Sequence, residues 1–391
     1  MEDIREVNEI KNQLLKFQEF YFQKDIGCLD KFLKENFASG DDVSFIGTGL
    51  RDWYFGLENI KKAIELHLED EKEYLNNIEF NLDSCVVTVK ENTALLVTTG
   101  RSMQYLPKQK LQKRFKEDIK NRFAEEVPSK EDLMNIANDI SRLLFDTYKG
   151  DKYIWDFRFT AMLIKENDKW LFKHIKFSFG SGNFWETRFA SENFDKSLVS
   201  IAEKNELSEE AKEIIKVLER YQEGYIKRDL SILDSYSEEV FTNDEHSLIF
   251  GTDEGEYFKG RDAAKKITGA DWQWWGDFDL NIKEAYISIC EDMAWVSSKA
   301  ILRKDHSPET VYKSLKELYL DYLPTLNIST EETLLKMLWR TTKRLYEAEL
   351  GEVYIIPMRF VGVMIKNNGK WRFQHLHFSD NVDGMPEERV L

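Results

Sequence analysis

The sequence predicts an α+β chain made of one unit written twice, and three observations carry that prediction. The stretch KWLFKHIKFS at 169–178 returns as KWRFQHLHFS at 370–379, with Trp, His, Phe and Ser in register. Tyr153, Arg158 and Phe159 recur at a spacing of 201 as Tyr354, Arg359 and Phe360, while FIGTGLRDWYFG (45–56) recurs at 204 as IFGTDEGEYFKG (249–260). In both halves helix-periodic segments precede strand-like alternation, the order expected when helices cover one face of a sheet.

Each half opens on a long amphipathic helix. Residues 3–24 place Val7, Ile10, Leu14, Phe17 and Tyr21 on one stripe, and 208–228 do the same with Ile214, Val217, Leu218, Tyr221 and Tyr225. Asp25 and Asp229 can each cap the short helix that follows. A short strand then leads into the Gly-Thr turn, and a helix follows at 59–72 and at 261–269. Long β-runs come next, 78–90 with 93–105 and 278–290 with 293–303, turning at Glu91-Asn92 and Glu291-Asp292. Residues 108–149 and 305–351 break the sheet pattern with helical insertions. Capping boxes, Ser129 to Asp132 and Ser329 to Glu332, open the second helix of each. Strands resume at 153–165 with 169–179 and at 353–366 with 370–379, where the tips Asn167-Asp168 and Asn368-Gly369 favour a tight hairpin. The expected units are 1–186 and 208–391, joined by a linker at 187–207.

Composition narrows the function. The chain has 391 residues, 42% hydrophobic and 13% aromatic, enough for real cores. Its net charge is −16, divided as −5 for residues 1–200 and −11 for the rest. A phosphate backbone or an anionic membrane surface would be repelled, so neither nucleic acid nor membrane is an expected partner. No apolar run reaches the length of a bilayer span, and the first residues lack a basic region followed by an apolar one, so a cytoplasmic location is expected. Cys28, Cys85 and Cys290 stand far apart, as free thiols in a reducing compartment would. The close pair His375 and His377 lacks a third ligand, so no metal and no cofactor is expected.

Helix, helix, GT-x(4)-[WY]-[YF]-x-G, helix, and a terminal hairpin carrying R-x-[TV] and K-W-x-F-x-H-x-[HK]-x-S together resemble SnoaL-like domains. These belong to the nuclear-transport-factor-2-like superfamily of cone-shaped α+β folds that includes ketosteroid isomerase. The closing strand is also similar to that of the association domain of calcium/calmodulin-dependent protein kinase. The resemblance implies two tandem cones, each a curved antiparallel sheet with helices on one face and an inserted helical hairpin. It also implies pairing of the two sheets within one chain. Function does not follow from it, because the superfamily holds isomerases, cyclases, dehydratases, binding modules and dimerisation domains.

Strand alternation nominates a candidate site. Counting by twos puts Trp170, Phe172, His174, Lys176 and Ser178 on one face, with Trp371, Phe373, His375, His377 and Ser379 as their counterparts. Arg158 and Thr160 share a face of the preceding strand, as do Arg359 and Val361. If the Arg and His faces coincide, a cationic cluster inside each cone would suit a small acidic or carbonyl-bearing ligand. The bland alternative is that the histidines bond core carbonyls, and that each Arg pairs with Asp52 or Glu256 to fasten the Gly-Thr turn. Asp52 or Glu256 could also serve as a base, with Tyr54 or Tyr257 as donor; Trp53 lies beside them. The run DWQWWGDFDL (271–280) fits ring stacking on a ligand or packing between copies. Lys176 against His377, and Thr160 against Val361, mark the copies as unequal, so at most one is expected to be active. The leading expectation is a small-molecule-binding protein with its two copies paired. The alternatives are an isomerase, cyclase or dehydratase and an assembly module; further homo-dimerisation stays open.

Overall fold

The computed structural model describes residues 4–70, 77–122, 128–181, 208–253 and 255–382. The first half runs α1 (Ile4–Gln23), α2 (Leu29–Asn36), β1 (Ser44–Ile46), β2 (Trp53–Phe55), α3 (Leu57–Asp70), β3 (Asn77–Phe80), β4 (Val86–Lys90), β5 (Thr93–Tyr105), α4 (Lys108–Arg122), α5 (Lys130–Tyr148), β6 (Lys152–Glu166) and β7 (Lys169–Phe179). The second repeats that order: α6 (Glu209–Lys227), α7 (Leu233–Val240), β8 (Leu248–Phe250), β9 (Tyr257–Lys259), α8 (Arg261–Trp274), β10 (Asp277–Leu280), β11 (Tyr286–Cys290), β12 (Met293–Asp305), α9 (Pro308–Glu317), α10 (Thr330–Glu349), β13 (Val353–Asn367) and β14 (Lys370–Asp380). The fold is α+β, two similar halves each with a seven-stranded sheet. Residues 187–207, expected as the linker, lie outside the described residues.

Local chemistry sets the elements where the sequence placed them. Asp25 accepts from the Gly27 N–H and Asp229 from the Ser231 N–H, opening the short helical turns that lead into α2 and α7. Ser129 and Asp132 form a reciprocal capping box at α5, and Ser329 accepts from the Glu332 N–H at α10. Asn167, Asp168, Asn368 and Gly369 all adopt positive φ at the two hairpin tips, as a two-residue turn between twisted strands requires.

Three details differ from the sequence reading. The sheets are mixed rather than antiparallel, because β1 runs parallel to β7 and β8 parallel to β14. The run 78–90 breaks into β3 and β4, since the Asn81 side chain accepts from the N–H groups of Asp83 and Ser84 and turns the chain; both pieces pair with β5. Helix α8 passes through Gly269 to Trp274 instead of stopping at the glycine. A Cβ at Gly269 would lie 2.8 Å from the Leu233 side chain, so this glycine serves close approach of α7 and α8.

The helices cover one face of each sheet. In the first half Ile10, Leu14 and Phe17 of α1 pack against Phe80, Phe159 and Phe172. In the second, Ile214, Leu218, Tyr221 and Tyr225 pack against Phe360, Phe373 and Phe378. The other faces of the two sheets pack on each other: Ile46, Trp53, Val97 and Met162 meet Leu248, Phe250, Trp295 and Val363 in one buried cluster. The insertions meet as well, with α5 and α10 antiparallel and Phe145 stacked on Trp339 at 5.1 Å. Two pairs of equivalent residues touch. Ser141 lies 2.5 Å from Thr342, and the Lys176 ammonium 2.5 Å from the His377 carbonyl, so a local twofold axis passes through both points. Among the described residues no helix is long and apolar enough to cross a membrane.

Candidate functional site

A one-residue bulge decides where the nominated side chains point. Met162 pairs with His174 but Leu163 with Phe172, leaving Lys173 extra; Gln374 is extra in the same place between Val363 and Met364. Beyond the bulge, Ile175 and Leu376 point into the helix-covered cores with Phe172 and Phe373. His174, Lys176 and Ser178, like His375, His377 and Ser379, therefore turn toward the other half. This overturns the expectation that Trp170, Phe172 and the histidines share a face inside each cone. The Arg and His faces do coincide, but they meet between the sheets.

There a chain of hydrogen bonds links Leu248, His375, Thr160, His377 and Ser178. His375 donates from Nδ1 to the Leu248 carbonyl (3.0 Å), which leaves its Nε2 to accept from Thr160 (2.8 Å). The Thr160 oxygen accepts in turn from Nδ1 of His377 (2.8 Å), and Nε2 of His377 accepts from Ser178 (2.7 Å). This assignment uses both rings as neutral Nδ1–H tautomers. It agrees with their acidity: burial pulls His375 down to about 3, and burial followed by the Lys176 charge holds His377 well below the usual histidine value. His174 is also depressed, by burial and then Lys173, and bonds Ser44 through Nδ1 (2.9 Å). Lys176 donates to the carbonyls of Arg359 and His377; burial, then Arg359 and Arg158, drive its pKa well down. Ser379 is buried, with no hydrogen-bond partner for its hydroxyl among the described residues.

The arginines cross over. Arg158 donates to the carbonyls of Gly251 and Asp253, and Arg359 to those of Gly47, Gly49 and Asp380. Each thus holds the Gly-Thr turn of the opposite half, and neither takes Asp52 or Glu256 as its partner in these bonds. Those carboxylates bind the turn from within: Asp52 accepts from the Gly49 N–H (2.6 Å) and Glu256 from the Asp253 N–H (2.9 Å). A Cβ on Gly251 would stand 2.0 Å from Glu256 Oε2, and one on Gly47 2.8 Å from the Asp52 Cβ, which is why the turn needs glycine. Tyr54 donates to Asp52 (2.9 Å), Trp53 belongs to the buried contact between the halves, and Tyr257 is 39% exposed beside Phe250.

A second constellation, missed by strand counting, lies inside the second cone. A cavity of about 20 Å³ is lined by Tyr221, Tyr225, Glu256, Thr268, Asp271 and Trp275, among others. The Tyr221 hydroxyl donates to that of Tyr225 (3.1 Å), and Tyr225 donates to Asp271 (2.8 Å). Burial raises the Asp271 carboxyl to about 7, with Tyr225 lowering it in part and Glu256 raising it. Asp271 can therefore offer a proton or accept one near neutrality. The signal in the sequence was a carboxylate on the inner stripe Ala264, Thr268, Asp271 of an amphipathic helix. The neighbouring tryptophans divide: Trp272 packs on Tyr236 in its own core, Trp275 stacks on Phe278, and Trp274 is 77% exposed. None of the three joins the buried contact between the halves. At the same repeat spacing the first half has Phe17, Tyr21, His67 and Asp52, so it lacks the Tyr–Tyr–Asp relay.

Residues 214–312 match the SnoaL-like domain family. That SnoaL-like stretch spans α6 to the start of α9 and contains the whole Tyr221–Tyr225–Asp271 relay. No match to a curated protein was found. Similar solved structures include a nuclear-transport-factor-2-like superfamily protein from Salmonella enterica (13% identity, 46% of this chain and 96% of that one, TM-score 0.29). Another is a like-named protein of unknown function from Shewanella oneidensis (16%, 44% and 99%, 0.26). A third comes from Pseudomonas putida (12%, 45% and 87%, 0.28).

Proposed function

We propose that this is a small-ligand-binding SnoaL-like protein whose second half is the working cone and whose first half is its fixed partner. The observation that carries the reading is the half-buried Asp271 carboxyl, raised to about 7 and joined to Tyr225 beside the cavity. A carbonyl-bearing hydrophobic molecule suits it, because a neutral carboxyl that accepts from Tyr225 keeps its own O–H to donate to a ligand oxygen. At about 20 Å³ the cavity has the size of one water, so a ligand enters by displacing a wall. The half-buried Trp275, just past the end of α8, is the wall we assign to that movement. The acidic charge of both halves supports a partner that is neither nucleic acid nor membrane. Isomerase, cyclase or dehydratase chemistry is the second reading and rests on the same acid.

The test is titration with 4-nitrophenol, whose oxygen would take the place of a ligand carbonyl or enolate and whose absorbance reports its charge. The wild type is expected to bind and to shift the chromophore. Asp271→Asn and Tyr225→Phe should each weaken binding by about 10- to 100-fold, the worth of one hydrogen bond to a charged group. Tyr21→Phe, in the first half, should leave binding unchanged. Absence of a spectral shift in the wild type, or equal binding by Asp271→Asn, refutes the proposal.

A further inference from the structure

The helical insertions carry an apolar face that nothing described in the chain covers. Leu133, Ile140 and Leu144 on α5, and Leu334, Leu338 and Leu345 on α10, are between 41% and 61% exposed. Steps of seven and four residues return to one side of a helix, so each trio forms a narrow stripe of heptad type. Helices α5 and α10 touch through Ser141 and Phe145 on one and Thr342 and Trp339 on the other. Those contact residues lie roughly 100° around each helix from its stripe, in the same rotational sense. Because the helices are antiparallel, equal rotation in the same sense brings both stripes to one side of the pair. The result is a two-helix apolar face crossed at its middle by the local twofold.

We propose that a second copy of this chain docks on that face, completing a four-helix bundle from two α5–α10 pairs. Three observations select this occupant. Leu133 and Leu144 recur at the 201 spacing as Leu334 and Leu345, so both halves of the unit keep leucine where solvent would favour a polar residue. The face is continuous with a helix-to-helix contact that already joins the halves, including Lys149 to Glu332 at 3.3 Å. Its size is also adequate. Helices of 19 and 20 residues, at about 1.5 Å per residue and ~10 Å each in width, give a patch on the order of 600 Å². A stable dimer buries about 800 Å² per partner, and the patch supplies most of that area. A two-helix layer with one apolar face is half of an up-down bundle, and a like layer is its complementary partner.

Sizing with light scattering on the full chain, over a dilution series, tests this. The wild type should be a dimer at micromolar concentration. Leu144→Glu with Leu345→Glu should raise the dissociation constant by at least about a hundredfold, since four carboxylates would be buried at the contact. Circular dichroism should stay unchanged, because the two positions are exposed in a single chain. If the glutamates disturb folding, Leu144→Ala with Leu345→Ala should still weaken the dimer by about tenfold or more. A wild type that stays monomeric at high concentration overturns the proposal, and so does a dimer indifferent to folded variants of both kinds.

Discussion

Replacing Thr160 by valine writes into the first half the residue that the second half carries at the equivalent Val361. The change is close to isosteric, so it opens no cavity. What it removes is the one oxygen lying 2.8 Å from His375 Nε2 and 2.8 Å from His377 Nδ1. All three residues are at most 1% exposed, so water cannot replace that oxygen. One donor and one acceptor are left unsatisfied, at about 1–3 kcal/mol each. Burying a methyl in place of a hydroxyl returns about 1 kcal/mol. The expected net loss is therefore about 1–5 kcal/mol, read as a lower urea midpoint with an unchanged slope. Ser178→Ala, which frees His377 Nε2, should be non-additive with it, because both act through the same imidazole. A loss below about 0.5 kcal/mol, or strict additivity, would show that the buried network does not hold the halves together.

Acidification and core size give two further tests. His174, His375 and His377 resist protonation when folded, so below about pH 6.5 the unfolded chain takes up three protons that the folded chain refuses. Asp271 and Asp380, raised to about 7 by burial, oppose this by holding two protons that the unfolded chain binds only near its ordinary carboxylate value. The three histidines outnumber the two carboxyls, so stability should fall as pH drops from 6.5 toward 5, with a slope that approaches about 1.4 kcal/mol per unit only near pH 5. Urea midpoints across that window check it, and Asp271→Asn should steepen the fall; a flat or rising profile would contradict neutral buried histidines. Gly224→Ala would place a Cβ 2.4 Å from Tyr236 and 2.7 Å from Trp272. Its overpacking cost of about 1–3 kcal/mol should outweigh the ~1 kcal/mol of helix propensity gained. Trp272→Leu should partly rescue it in a thermal melt, since the first half combines Phe20 with Leu68 at these positions.

Much of the architecture followed from short-range chemistry. The capping residues, the positive-φ hairpin tips and the order of helices and strands are properties of a few neighbouring residues, and they stand where periodicity placed them. The duplication was equally plain, because a spacing of 200 to 204 residues is visible in the letters alone. Gly269 and Asn81 show the first limit. A glycine that reads as a helix stop proved to be a packing contact with α7, and an Asn inside a β-run proved to be a turn.

The candidate site was harder, for a reason that one extra residue illustrates. Parity along a strand survives only until a bulge, and the extra Lys173 and Gln374 exchange inside for outside for every residue beyond them. The sequence alone determined that Arg158, His174, Lys176 and their counterparts are repeated polar residues on paired strands. Tertiary structure decided that they face the other half, where Thr160 bridges two histidines more than 200 positions away. It also decided that Asp271, one acid among many in the letters, lies half-buried against Tyr225. Burial and partnership across such distances depend on where the chain returns, and no local pattern encodes that.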